Sequence, residues 1–171
     1  MTDSVRAFLA PLYQDLDGIS RFEEIDRISS IARRLHEPDD PRAFELLLLF
    51  HGLGKWLEKV GNRSRTALGT GISEAELHAI SASIRRLDDP QSDAERAVAA
   101  AILIDSGGVR GLAERFARAR REGQSMMDVV REVLAESWIP AWMPERGRAW
   151  LEQRHDARRE VCRQLLAELE T

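Results

Sequence analysis

Residues 44 to 60, FELLLLFHGLGKWLEKV, constrain the fold more than any other stretch because they are too apolar to lie on a surface. Leu46 to Phe50 are apolar without a break, and Leu53, Trp56, Leu57 and Val60 follow, so the first turns have no polar stripe. The run reads as a central, buried helix. Inside it stand His51, Gly52 and Gly54. A glycine in a helix interior costs about 1 kcal/mol relative to alanine, so a close neighbour must justify each one. A histidine among these leucines needs a partner for its ring nitrogens, since an unpaired buried polar group costs roughly 1–3 kcal/mol.

The remaining elements follow from caps and helical spacing. Val5, Phe8, Leu9, Leu12, Tyr13 and Leu16 line one face of a helix over residues 3–17, with Pro11 on the other face to bend or divide it. Ser20 with Glu23 forms a capping box for a second helix, which stops before Glu37-Pro38-Asp39-Asp40. Asp40 then caps the central helix and Pro41 takes its first position. Two more capping boxes, Ser73 with Glu76 and Ser92 with Glu95, start the next pair, the second being the alanine-rich AERAVAAAILI, which ends near Asp105. Ser106-Gly107-Gly108 breaks that helix; Val109–Glu122 forms another, stopped by Gly123, and Ser125 caps a shorter one. SWIPAWMP, residues 137–144, is an apolar connection, and a long helix from Glu145 closes the chain. No alternating β pattern and no repeat interrupts this order. The sequence therefore predicts an all-α bundle of about seven or eight helices, a single domain over residues 1–171.

Charge and cysteine usage bound the function. A net charge of −4 argues against a dedicated nucleic-acid binder. The lone Cys162 excludes an internal disulfide and fits a reducing cytosol as a small apolar residue on a helix. Neither a signal peptide nor a membrane-length apolar run is found, so a soluble, cytoplasmic protein without membrane attachment is expected. The four histidines, His36, His51, His78 and His155, form no H-x-x-H, H-x-x-x-H or H-E-x-x-H pair, so local spacing defines no metal site. His36 is expected at a helix end facing solvent, His78 on a half-exposed face and His155 in packing. The loop GNRSRTALGTG, residues 61–71, carries Arg63 and Arg65 and could hold a phosphate, although it lacks the ending and the preceding strand of a P-loop. Arg115, Arg118, Arg120 and Arg121 read as a solvated face.

The segment LLLLFHGLGKW resembles the heart of the HD-domain superfamily of metal-dependent phosphohydrolases, named for a His-Asp doublet that is here His51-Gly52. Glu24-Ile25-Asp26-Arg27-Ile28 resembles the H-I-x-R-V motif of the small stand-alone bacterial members, with Glu24 in the histidine's place. Ala101-Ile102-Leu103-Ile104-Asp105-Ser106-Gly107-Gly108 resembles their A-D-R-L-D-A-x-G motif, with Ile102 where the metal aspartate belongs and Asp105 matching the later, non-ligand aspartate. Leu112 to Phe116 and Arg154-His155 extend the likeness, which spans roughly residues 20 to 169.

The resemblance implies an HD-like fold with a decayed metal centre. Of four expected ligands His51 remains, Glu24 replaces one, and two are lost at Gly52 and Ile102. An imidazole and a carboxylate alone hold Zn²⁺ or Mn²⁺ weakly. The expected vestigial site is therefore Glu24, His51, Gly52, Ile102 and Asp105, with Glu24 and His51 hydrogen-bonded and room left beside His51 by Gly52 and Gly54. No cofactor is expected, and the chain reads as a pseudoenzyme: a binding or regulatory module for a small anionic or nucleotide-like ligand guided by Arg63 and Arg65. Two alternatives stand beside it. One is a phosphohydrolase with an unusual ligand set using Mn, Fe, Ni or Zn, and the other is a structural protein that forms a homodimer through its last helix.

Overall fold

A computed structural model describes residues 2–13, 22–60 and 71–169, and every regular element among them is helical. The helices are α1 (Thr2–Leu9), α2 (Phe22–Leu35), α3 (Pro41–Phe50), α4 (Gly54–Val60), α5 (Glu74–Arg85), α6 (Asp93–Ser106), α7 (Val109–Glu122), α8 (Met126–Ala135) and α9 (Glu145–Leu169). Counting α3 and α4 as halves of one interrupted helix gives eight among the described residues, the all-α architecture expected. None of these helices is long and apolar enough to cross a membrane. Ser20, the expected cap of α2, and the basic loop with Arg63 and Arg65 lie outside the described residues.

Pro11 divides the first element as its missing N–H requires. The α-helix stops at Leu9 and the chain continues as a 3-10 turn over Ala10–Tyr13. Capping follows the sequence closely. Asp40 accepts the N–H groups of Arg42 and Ala43 at 3.0 Å, and Pro41 opens α3. Ser73 and Glu76 exchange both bonds of a capping box, and so do Ser92 and Glu95. Ser125 accepts the N–H of Asp128, and Gly123 ends α7 in the left-handed conformation.

The chain packs as two compact units, Met1–Ala99 and Ala100–Thr171. The first holds α1 to α5 and the beginning of α6. Its core joins Val5, Leu9, Tyr13, Ile25, Leu49, Phe50, Leu53 and Ile80, and α3 packs against both α2 and α5. The apolar run behaves as its composition demands, with Leu46 to Phe50 all buried. The second unit holds the end of α6 with α7, α8 and α9. It closes around Leu112, Ala119, Val129, Val130, Val133 and Cys162. In the connection between α8 and α9, Pro140 and Met143 are buried while Trp138 is exposed.

Two side chains report on this packing. Leu48 has no exposed surface, so Leu48→Ala should cost about 2–5 kcal/mol in urea or guanidinium melts, through lost burial and the cavity left behind. Glu95 is buried at the amino end of α6 and accepts the N–H groups of Gln91 and Ser92 as well as the guanidinium of Arg86. Burial pushes its carboxyl up, but Arg86, the Gln91 N–H, the Ser83 hydroxyl and the Ser92 N–H outweigh burial and hold it at about 2, against an ordinary value of 4.5. A carboxyl depressed on folding stabilises above the unfolded value, and that contribution is lost as pH falls through the folded one. Glu95→Gln should therefore destabilise at pH 7 by on the order of 1–3 kcal/mol. Melts from pH 5 to pH 2 should show the parent and the variant converging, and equal stabilities at pH 7 would contradict this account.

Candidate functional site

The central apolar run is not one continuous helix. After Phe50 the α-helix gives way to a 3-10 turn over His51–Leu53, and α-geometry resumes at Gly54. Two side chains account for the break. Tyr13 donates its hydroxyl hydrogen to the carbonyl oxygen of Leu49 at 2.6 Å, and Nδ1 of His51 lies 2.6 Å from the carbonyl oxygen of Leu48. Two consecutive carbonyls thus take side-chain donors where an undisturbed helix would offer them only to the N–H groups four residues on.

The same contacts explain both glycines. A Cβ on Gly52 would stand 2.9 Å from Cε1 of Tyr13 and 3.4 Å from its hydroxyl oxygen. One on Gly54 would stand 3.1 Å from Cγ2 of Ile84 on α5. Each glycine lets another side chain approach the backbone, so its cost to the helix is offset by packing. The expected room beside His51 is accordingly absent at these two positions, where a tyrosine ring and an isoleucine methyl are seated. Tyr13 is itself held: it is buried, and its ring meets Phe22 edge to face at 5.6 Å between centroids.

Electrostatics tie Tyr13, Glu24 and His51 together. Burial raises the phenol of Tyr13 far above its ordinary value, a backbone hydrogen bond with Gly52 opposes this, and the charge of Glu24 adds to the rise. Burial lowers the imidazole of His51, against the Leu48 carbonyl and the charge of Glu24, which favour the protonated form. A neutral ring with Nδ1 on a carbonyl carries its hydrogen on Nδ1 and keeps the lone pair of Nε2. Among the described residues no hydrogen bond joins Glu24 to His51, which corrects the expected pair: the Leu48 carbonyl, three residues back on the same turn, takes the ring instead. Glu24 is half-buried.

Ile102 and Asp105, both half-buried, stand on the part of α6 that belongs to the second unit. The ligand set of an HD metal centre does not fit the residues as they are placed. Gly52 offers no donor and is backed by Tyr13, Ile102 is aliphatic, and among the described residues no three His, Cys, Asp or Glu side chains gather closely enough to share an ion. Comparison with models of protein families, with curated proteins and with solved structures finds no match to this chain.

The other histidines and the arginine cluster are settled by packing. His36 sets its ring edge to face against Phe44 at 5.8 Å, rather than simply facing solvent. His78 is exposed. His155 is buried, and its imidazole is lowered by burial and then by the neighbouring Arg158 charge. Arg118, Arg120 and Arg121 are exposed, but Arg115 leaves the solvated face to pair with Glu136 at 2.6 Å. Glu136 also receives the buried Arg158 at 3.0 Å, and its main-chain carbonyl receives Arg159. Burial pushes the Cys162 thiol up, which disfavours the reactive thiolate.

Tyr13 is the residue that the sequence reading passes over, counting it only as one apolar position on the first helix. It is the chain's one tyrosine, on an otherwise aliphatic and phenylalanine face, and its hydroxyl was the available signal: a buried phenol needs an acceptor. A double-mutant cycle measures its fit. Gly52→Ala should destabilise by about 1–3 kcal/mol through overpacking, and much of that cost should disappear when Tyr13→Ala supplies the background. Equal costs in both backgrounds would separate the glycine from the tyrosine.

Proposed function

We propose that this chain is an HD-domain-like protein whose metal centre has been lost, and that it acts as a non-catalytic binding or regulatory module. The observation supporting this reading is the seat of Tyr13. Its ring stands against the backbone at Gly52, the position of the second residue of an HD doublet, and its hydroxyl is committed to the Leu49 carbonyl. An aspartate side chain at Gly52 would have to displace a buried aromatic ring. Sequence and packing support the same reading: Gly52 carries no ligand side chain, and Tyr13 fills the space beside it.

What remains is chemically modest. Glu24 and His51 supply one carboxylate and one imidazole lone pair, fewer than the three or four protein ligands of an ordinary zinc site. Without a metal to acidify water, a neutral imidazole alone gives little leverage on a phosphate ester. The earlier expectation of an anionic ligand rests on Arg63 and Arg65, which lie outside the described residues, and on room beside His51 that Tyr13 narrows.

Purified protein should contain well under one equivalent of Mn, Fe, Ni or Zn by elemental analysis. With added Mn²⁺ it should hydrolyse phosphomonoesters no faster than its His51→Ala variant. About one metal per chain, lost on His51→Ala, or His51-dependent turnover, would establish the phosphohydrolase reading instead.

A further inference from the structure

A groove of about 570 Å³ opens in the first unit between α3 and α5, well within the range of small-ligand sites. Its floor is apolar: Leu46 and Leu47 from α3 and Ile80 from α5 are buried beneath it. Four alanines, Ala43, Ala75, Ala79 and Ala94, are among the residues lining it, and Ala79 is itself exposed. Four carboxylates, Asp39, Asp40, Glu76 and Asp93, stand around it against the single guanidinium of Arg42, so the lining carries a formal charge of −3 with His36 neutral.

The amino ends of α3, α5 and α6 also face this groove, and bare helix amino ends would favour an anion. They are already capped. Asp40 takes the N–H groups of Arg42 and Ala43, Ser73 takes that of Glu76, and Ser92 takes that of Glu95. Arg42 is occupied as well, held by Glu76 and by the carbonyl of Gly71. No strong donor set is left for an anion. Asp39, by contrast, makes no hydrogen bond or ion pair among the described residues. Asp93 is tied only to Arg96, at 2.7 Å on a side chain that is 74% exposed. An exposed pair of this kind contributes little and exchanges readily.

We propose that this groove is a binding site for a small organic cation, an amine whose apolar body lies on Leu46, Leu47 and Ile80 and whose ammonium group is held at the rim by Asp39 and Asp93. The groove is independent of the HD resemblance, since neither His51 nor Glu24 lines it. Among the described residues Asp39 has no other partner to give up and Asp93 only its exposed pairing with Arg96, whereas Asp40 and Glu76 are fixed in place by the bonds described above.

The experiment uses the full chain and three probes of matched length, octylammonium, octanol and octanoate, titrated by calorimetry at low salt and mapped by NMR. Octylammonium should bind saturably, one per chain, roughly tenfold or more tighter than octanoate and more tightly than octanol, with the preference falling as salt screens the rim. Ala79→Phe should fill the groove from an exposed position and abolish binding. Asp39→Asn with Asp93→Asn should cut the preference for octylammonium by about threefold or more while leaving octanol unchanged. Circular dichroism melts confirm that each variant is folded. The proposal is overturned if octanoate or octanol binds as well as octylammonium, if no probe saturates, or if Ala79→Phe leaves binding intact. A concentration-dependent dimer in sedimentation that Ala79→Phe dissolves would overturn it too, by assigning the groove to a second copy.

Discussion

The hydrogen bond from Tyr13 to the carbonyl of Leu49 is the contact on which the first unit's central helix depends for its shape. It joins the end of the first element to the middle of the most buried one, and it brings an aromatic ring where the backbone must be bare. Gly52 follows from that ring, as the local 3-10 geometry follows from the two carbonyls that Tyr13 and His51 engage. A helix interrupted at its centre is usually explained by proline or by flexibility. Here the cause is a pair of side chains inserted into the hydrogen-bond ladder.

This contact also bears on chemistry. A neutral histidine with one nitrogen on a carbonyl and the other carrying a lone pair has the orientation that metal ligands commonly have. Such orientation is not a centre by itself, because binding strength comes from several ligands converging with negative charge. Here the imidazole has Tyr13 seated at the neighbouring Gly52, so no carboxylate converges on it from that position. Burial then holds both the phenol and the imidazole in their neutral forms, so the cluster costs less to bury than an ionised one.

Much of the polar structure has a mechanical purpose. Glu95, Asp40, Glu76 and Ser125 fix where helices begin, and Glu136 gathers Arg115, Arg158 and Arg159 at the end of α8. A buried guanidinium such as Arg158 is tolerable only with a carboxylate beside it, and removing one partner alone would leave an uncompensated charge. Arginines that look like a solvated stripe in the sequence therefore divide into two kinds. The periodicity of α7 places Arg118, Arg120 and Arg121 outward, whereas Arg115 is claimed by Glu136, just past the end of α8.

The sequence by itself determined most of the helices and their capped ends, though not the break in the central one. Asp40-Pro41, Ser73 with Glu76, Ser92 with Glu95, Gly123 and Ser125 act within a few residues of one another, so their chemistry is local and legible. The burial of Leu46 to Phe50 was legible for a similar reason, since five consecutive apolar side chains can be satisfied only inside. Tertiary structure alone decided what stands beside Gly52 and Gly54. A glycine in the sequence says that something comes close but not what, and Tyr13 and Ile84 arrive from segments 39 residues before and 30 residues after, respectively. His51 illustrates the same limit: its need for a partner was readable, yet the choice between a distant carboxylate and a carbonyl one turn back was made by the local geometry of the broken helix. The groove between α3 and α5 was invisible for the same reason, because its floor and its rim come from stretches whose proximity exists only once the helices have packed.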